Sequence, residues 1–384
     1  MTFERQNQRI TARDILQAIA NGHDIALRNC TVSGQLILTR LLDGHEDFEK
    51  SKIHIRQCRN MKIITLHQAV SFESCTFEEN VSFGPPWAEP DIISVVFEKA
   101  VIFNSSVFNQ QTYFRNAVFN DHAGFDGCIF TGLSSFRNVH FKAKAMFRTS
   151  VFRGYALVNE TVFTRDAQFT NTHFQKGVNF ANTKFNGYVD FSGIYSGSRS
   201  IPVFEGVAFT RHSYGEDETF WRFVKQAALE AGHYQLAGEC FYNERCAQLW
   251  HRFRGPNYDI LPITKKILRI IMSARLIPQL VLGRYLFGYG ERPIRIIVAG
   301  FIIIVACGFY YTRWGTLLYL GKTHQPTLLD GLYFSTITFT TLGFGDLYPG
   351  FDDMTRYVAM AEALAGACLI AMFIVCLAKR FSRG

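Results

Sequence analysis

The chain has 384 residues, 48% of them hydrophobic, with 40 Lys and Arg against 32 Asp and Glu and a formal net charge of +8. Its nine cysteines form no C-x-x-C pair and its eleven histidines no H-x-x-x-H set, so neither a disulfide framework nor a zinc site is expected. No phosphate loop, nucleophile elbow or paired-acid motif occurs, and no enzymatic activity or organic cofactor is expected.

The first 30 residues lack an apolar core, so no cleavable signal peptide is expected. Thr11 followed by Asp14, then the run 15–20 and Gly22, reads as a short capped helix, and residues 1–24 are assigned to it as a cap.

Residues 25–210 carry a repeat, clearest over 70–210. Phenylalanines stand at Phe97, Phe103, Phe108, Phe114, Phe119 and Phe125, alternating steps of six and five, and the series runs on to Phe191. Val158 fills the one gap. An eleven-residue period also suits a right-handed helical supercoil. On a helix, however, a step of five rotates by ~140°, which would send alternate phenylalanines to opposite sides. Two positions before each Phe stands a small or β-branched residue, as at Val101, Ser106, Thr112, Ala117, Ala123 and Cys128. Positions i and i−2 share a face only in extended chain. Each unit is therefore a short strand followed by a polar turn such as Asn104-Ser105 or Asp126-Gly127. Stacked units make a β-solenoid with phenylalanine inside. Cys75 and Cys128 occupy small inward positions and read as reduced core residues of a cytosolic domain. Residues 84–91 break the register and are expected to loop out.

This pattern resembles the pentapeptide-repeat family. The resemblance implies a right-handed quadrilateral β-helix with four units and about 22 residues per coil, each coil rising ~4.8 Å. Some members of that family mimic duplex DNA, which needs a strongly acidic surface. Residues 70–210 hold twelve acids and eleven bases, a near-neutral balance that argues against mimicry. No nucleic-acid partner is expected, and an unknown cytoplasmic ligand or protein for the repeat stays open.

Residues 216–231 and 234–250 read as two amphipathic helices around Gly232, within a 211–255 hairpin. Phe220, Phe223, Val224 and Ala227 form one apolar stripe. The hairpin resembles a single tetratricopeptide-like unit. A cap and connector is favoured over a peptide-binding groove. Residues 256–293 are apolar but carry Lys265, Lys266, Arg269, Arg275 and Arg284, with a break at Pro278, and suit helices lying on a membrane surface.

Residues 294–384 hold two apolar segments, predicted as spans over 294–313 and 355–378. A spanning helix needs roughly 20 mostly apolar residues. The competing reading, two buried helices of a soluble core, is disfavoured because both are apolar all round. Cations cluster before the first segment and after the second, at Lys379, Arg380 and Arg383. The intervening loop carries Asp330, Asp346, Asp352 and Asp353. The positive-inside rule then puts both termini in the cytoplasm. The flanking cations alone account for the net charge.

Residues 328–340 are too short to span and suit a re-entrant helix ending at 341–345, Thr-Leu-Gly-Phe-Gly. Its carboxyl end, partially negative, would face a cation. The run 332–349, LYFSTITFTTLGFGDLYP, resembles the pore loop of bacterial two-helix potassium channels. The resemblance implies that carbonyls of Thr341, Leu342, Gly343, Phe344 and Gly345, with the Thr341 hydroxyl, bind dehydrated potassium. It also implies four copies around one axis, a homotetramer. Leu342 and Phe344 stand where Val and Tyr are commoner. Ile337 stands where many relatives place a carboxylate that pairs with the Asp after the filter, here Asp346. Thr340, Asp346 and Glu362 are expected to support the filter, although Glu362 could instead serve the ion path. Gly366 is either the bend of the inner helix or a small residue for close packing.

The expectation is therefore a homotetrameric, potassium-selective channel of a bacterial inner membrane, in contact with lipid and modulated by its repeat domain. The alternative is a repeat scaffold tethered to a non-selective or silent pore.

Overall fold

The computed structural model describes residues 1–41, 54–58, 61–85, 93–197, 200–210, 217–254, 258, 261–351 and 353–381, in two units, Met1–Ile260 and Leu261–Gly384. Residues 86–91 of the expected loop, the start of the hairpin at 211–216, Asp352 and Arg383 lie outside the described residues.

In the first unit, two-residue strands recur along the chain and pair in parallel with the strand one coil later. The register Val101↔Ala123 and Phe108↔Phe130 fixes 22 residues per coil, and the strands assemble into four sheets. Four phenylalanine ladders fill the interior. In one, Phe103, Phe125, Phe147, Phe169 and Phe191 stack at 5.0–5.5 Å with ring planes within 8° of parallel. Neighbouring ladders meet edge to face, as Phe125 and Phe136 do at 82°. Val158, buried, bridges the gap between Phe136 and Phe180.

The turns obey the same period. Ser105, Asn116, Asn138, Thr149, Asn171 and Asn182 all have φ between 54° and 59°. Asparagine tolerates the left-handed region better than most residues, and Asn138 donates its side-chain amide to Asn116 one coil away at 2.9 Å. The small inward positions contain more chemistry than their size suggests. Ser106, Thr172 and Thr183 donate their hydroxyls to the carbonyls of Phe72, Phe147 and Val158 at 2.7–3.0 Å. A polar atom is thereby satisfied inside an apolar column.

The solenoid begins earlier than residue 25. Strands Thr2–Gln6 and Arg9–Thr11 pair with Asp24–Arg28 and Thr31–Ser33, so the short helix lies between coils and does not precede them. That helix, α1 (Ala12–Ala20), has the expected capping box between Thr11 and Asp14. The other departure is His54–Cys58, which pairs antiparallel with Met61–Leu66.

At the far end, α2 (Glu218–Glu230) and α3 (Tyr234–Arg254) form the hairpin. Its predicted stripe covers the last coil. The Phe220 ring lies 5.2 Å from both Phe191 and Phe209, and Phe223 is parallel to Phe191. Solenoid ends need such covers. Glu244 is buried between the two helices, 3.0 Å from Arg222 Nε and paired also with Lys225.

In the second unit, α4 (Ile263–Met272) buries no residue and leaves Ile263, Ile267, Ile270 and Ile271 exposed. A 3-10 segment, Ser273–Leu276, follows it, and after Pro278 comes a π-helical stretch, Gln279–Leu286. Then come α5 (Pro293–Arg313), α6 (Leu328–Phe339) and α7 (Asp353–Phe381), within a few residues of the predicted spans and re-entrant helix.

Candidate functional site: the segment after the short helix

Among the described residues, the second unit carries two helices long and apolar enough to cross a membrane. Between them α6 is started by a capping box, with Thr327 and Asp330 each accepting from the other's backbone N–H. Small residues let it sit close against α5. A Cβ on Gly331 would lie 2.4 Å from the Gly308 carbonyl oxygen.

Residues 341–345 follow directly. Thr341, Gly343 and Gly345 have φ of 57°, 51° and 82°, while Leu342 and Phe344 between them do not have positive φ. In ordinary extended chain successive carbonyls point to opposite sides. Alternating the sign of φ turns them toward one side. Glycine makes this cheap at Gly343 and Gly345. The segment hangs from the last turn of α6: Thr341 N–H donates to Thr338 at 3.1 Å and Leu342 N–H to Ile337 at 3.0 Å. Thr340 is the C-cap, and its hydroxyl donates to the Thr336 carbonyl at 2.7 Å. Leu342 and Phe344 are 64% and 69% exposed.

Asp346 does have a partner from α6. Tyr333 donates its hydroxyl to Asp346 Oδ2 at 2.9 Å, from one helical turn before Ile337. The chain beyond is held by a three-stranded antiparallel sheet of Leu317–Tyr319, Lys322–His324 and Leu347–Pro349. With Ile337 unable to pair with it, Asp346 had either to find another partner or to stay solvated; the sequence names neither Tyr333 nor this sheet. The positive φ of Leu320 and Gly321 marks the tight hairpin turn that pairs the first two strands.

Glu362 is 2% exposed and joins three elements. It accepts from Tyr311 of α5 at 2.7 Å and shares a hydrogen bond with Ser335 of α6. Gly366 lies against the end of α6, where an added Cβ would sit 2.0 Å from the Phe339 carbonyl oxygen. That contact gives Gly366 a packing role, and α7 runs through it unbroken.

Residues 297–383 match the family model described as ion channel, and residues 93–140 and 147–194 match pentapeptide repeats. Two pore potassium channel b of Oryza sativa subsp. japonica is 29% identical over 93 residues, covering 23% of this chain and 25% of that protein. Two pore potassium channel a of the same organism is 43% identical over 47 residues, covering 12% and 13%. The chain thus spans a quarter or less of the curated relatives it matches. No solved structure matches it. By these matches and its own architecture, the chain joins a pentapeptide-repeat β-solenoid to a two-span pore domain of the ion-channel family.

Proposed function

We propose that this chain forms a homotetrameric, potassium-selective channel of a bacterial inner membrane, with both termini cytoplasmic. The observation that supports the reading is the alternating φ sign along 341–345, the backbone pattern that a row of carbonyls facing one side would need. Carbonyls of Thr341, Leu342, Gly343 and Phe344 replace the water shell of potassium, and Gly345 ends the row. One chain contributes one wall, so a closed ring takes several copies. The exposed Leu342 and Phe344 would pack between them. The rice relatives are named potassium channels, which supports the choice of ion. Thr340, Asp346 and Glu362 hold the row in place. In this reading residues 260–290 lie on the inner leaflet, and the state of the solenoid acts on the first span through the 216–254 hairpin and this segment.

Reversal potentials of the purified full-length protein in mixed potassium and sodium test the ion. Selectivity for potassium, lost in Gly343→Ala, is expected; equal permeability in the wild type would defeat the potassium claim in favour of a scaffold with a non-selective pore. Deleting residues 1–210 is expected to change open probability in bilayer recordings, and an unchanged value removes the gating role.

A further inference from the structure

Resting on the potassium reading above, we infer that Tyr311 and Ser335 are positioning residues for ion selection, acting through the Glu362 carboxylate. The energetic puzzle is Glu362 itself. Tyr311 and Ser335 are 0% exposed and Glu362 is 2% exposed. Among the described residues no cation pairs with Glu362. Taking a carboxyl group out of water costs free energy that a leucine at the same place would avoid. Bulk stability therefore gives no reason for an acid here.

Geometry does give one. The carboxylate divides its oxygens between two elements. Oε2 accepts from the Tyr311 hydroxyl on the first span, and Oε1 faces the Ser335 hydroxyl on the pore helix. Ser335 Oγ also lies 2.9 Å from the Ile304 carbonyl, again on the first span. Three helices thus meet at one hydrogen-bonded point. Elsewhere α5 and α6 meet through close approach at Gly308 and Gly331, the edge-to-face Tyr311 and Phe334 rings at 4.8 Å, and a long Thr312 hydroxyl contact to the Thr327 carbonyl at 3.4 Å, while the buried hydrogen bonds at Ser335 lie nearer the filter end of α6. The hydrogen bonds set how far α6 is rolled about its axis.

The roll matters because the filter is tied to the same helix. Ile337 C=O accepts from both Leu342 N–H at 3.0 Å and Gly343 N–H at 3.4 Å, and Thr338 C=O from Thr341 N–H at 3.1 Å. Any roll of α6 displaces the ion ligands directly. Functional groups must be held to within about 0.5 Å of their working geometry by the residues behind them.

The test uses full-length channels in proteoliposomes, with two readouts: the sodium-to-potassium permeability ratio, and amide hydrogen exchange over 337–345. Tyr311→Phe and Ser335→Ala should each raise both by about fivefold, the loss expected for one net hydrogen bond. Glu362→Gln keeps an acceptor for Tyr311 and a donor for Ser335, and should stay within about twofold of wild type. In a Glu362→Leu background, Tyr311→Phe should add nothing. The inference is overturned if the two hydroxyl deletions leave both readouts unchanged, or act in full when Glu362 is already Leu. If Glu362→Leu fails to assemble, the single-hydroxyl variants decide alone. If the wild type itself does not discriminate between the ions, the potassium reading falls, and hydrogen exchange still decides the clamp.

Discussion

Tyr333 reaches from α6 to Asp346, the residue after the 341–345 segment, with 2.9 Å between hydroxyl and carboxylate oxygens. Ile337, buried one turn further on, offers Asp346 nothing. The tyrosine is thus the α6 side chain that holds Asp346. Tyr333→Phe removes only that hydroxyl. Potassium currents should then decay severalfold faster under sustained opening, with unchanged protein yield. Recordings that decay at the wild-type rate would show that the filter is braced elsewhere.

Gly366 separates two accounts of the inner helix. An added methyl would meet the Phe339 carbonyl at 2.0 Å, so Gly366→Ala must push α7 away from the pore helix. Overpacking of this kind costs about 1–3 kcal/mol. The expected result is a lower melting temperature of the assembled protein. A hinge role alone predicts something else: channels of normal thermal stability that open rarely.

Much of this was legible because period and motif act locally. The five-and-six spacing of phenylalanine, with small residues two positions before, is a strand pattern whatever surrounds it, and the family resemblance it carries implied the 22-residue coil. Thr11 with Asp14 marked α1, and the two apolar stretches marked α5 and α7. What was missed depends on neighbours distant in the chain. Strands at Thr2–Gln6 and Arg9–Thr11 carry no phenylalanine ladder of their own and are defined by pairing one coil later. Leu347–Pro349 becomes a strand only because Leu317–Tyr319 lies beside it. Tyr333 and Tyr311 belong to no motif in the sequence, and only the fold brings their hydroxyls to Asp346 and Glu362.

The buried thiols of the solenoid and its cap give a pH signature. Burial raises Cys75 from 9.0 to about 11 and Cys240 to about 12, and burial raises Cys128 as well. The folded form thus keeps these thiols neutral where the unfolded chain ionises. Their contribution is fully present below pH 9 and is lost as pH rises from about 9 toward 11 and 12. Stability of the first unit should fall across that window, and Cys75→Ser should flatten part of the fall. At pH 8, iodoacetamide should label exposed Cys58 first and leave Cys75, Cys128 and Cys240 unreacted until denaturant is added. Rapid labelling of Cys128 in the native protein would contradict its place in the core.

The ladder itself predicts where damage spreads. Phe125 is fully buried, stacked between Phe103 and Phe147 and edge-on to Phe114 and Phe136. Truncation to alanine opens a cavity and should cost about 3–5 kcal/mol of local stability. Thr172→Val keeps shape but removes the hydroxyl that reaches Phe147 C=O at 2.7 Å. That carbonyl retains a second donor, the Ser150 N–H at 3.3 Å, so the cost should be nearer ~1 kcal/mol. Because each coil touches only its neighbours, hydrogen exchange in Phe125→Ala should rise most between Phe103 and Phe147 and fade toward both ends. A uniform rise across the whole solenoid would mean that the coils unfold as one block, and that the cap made by Phe220 and Phe223 couples to every rung.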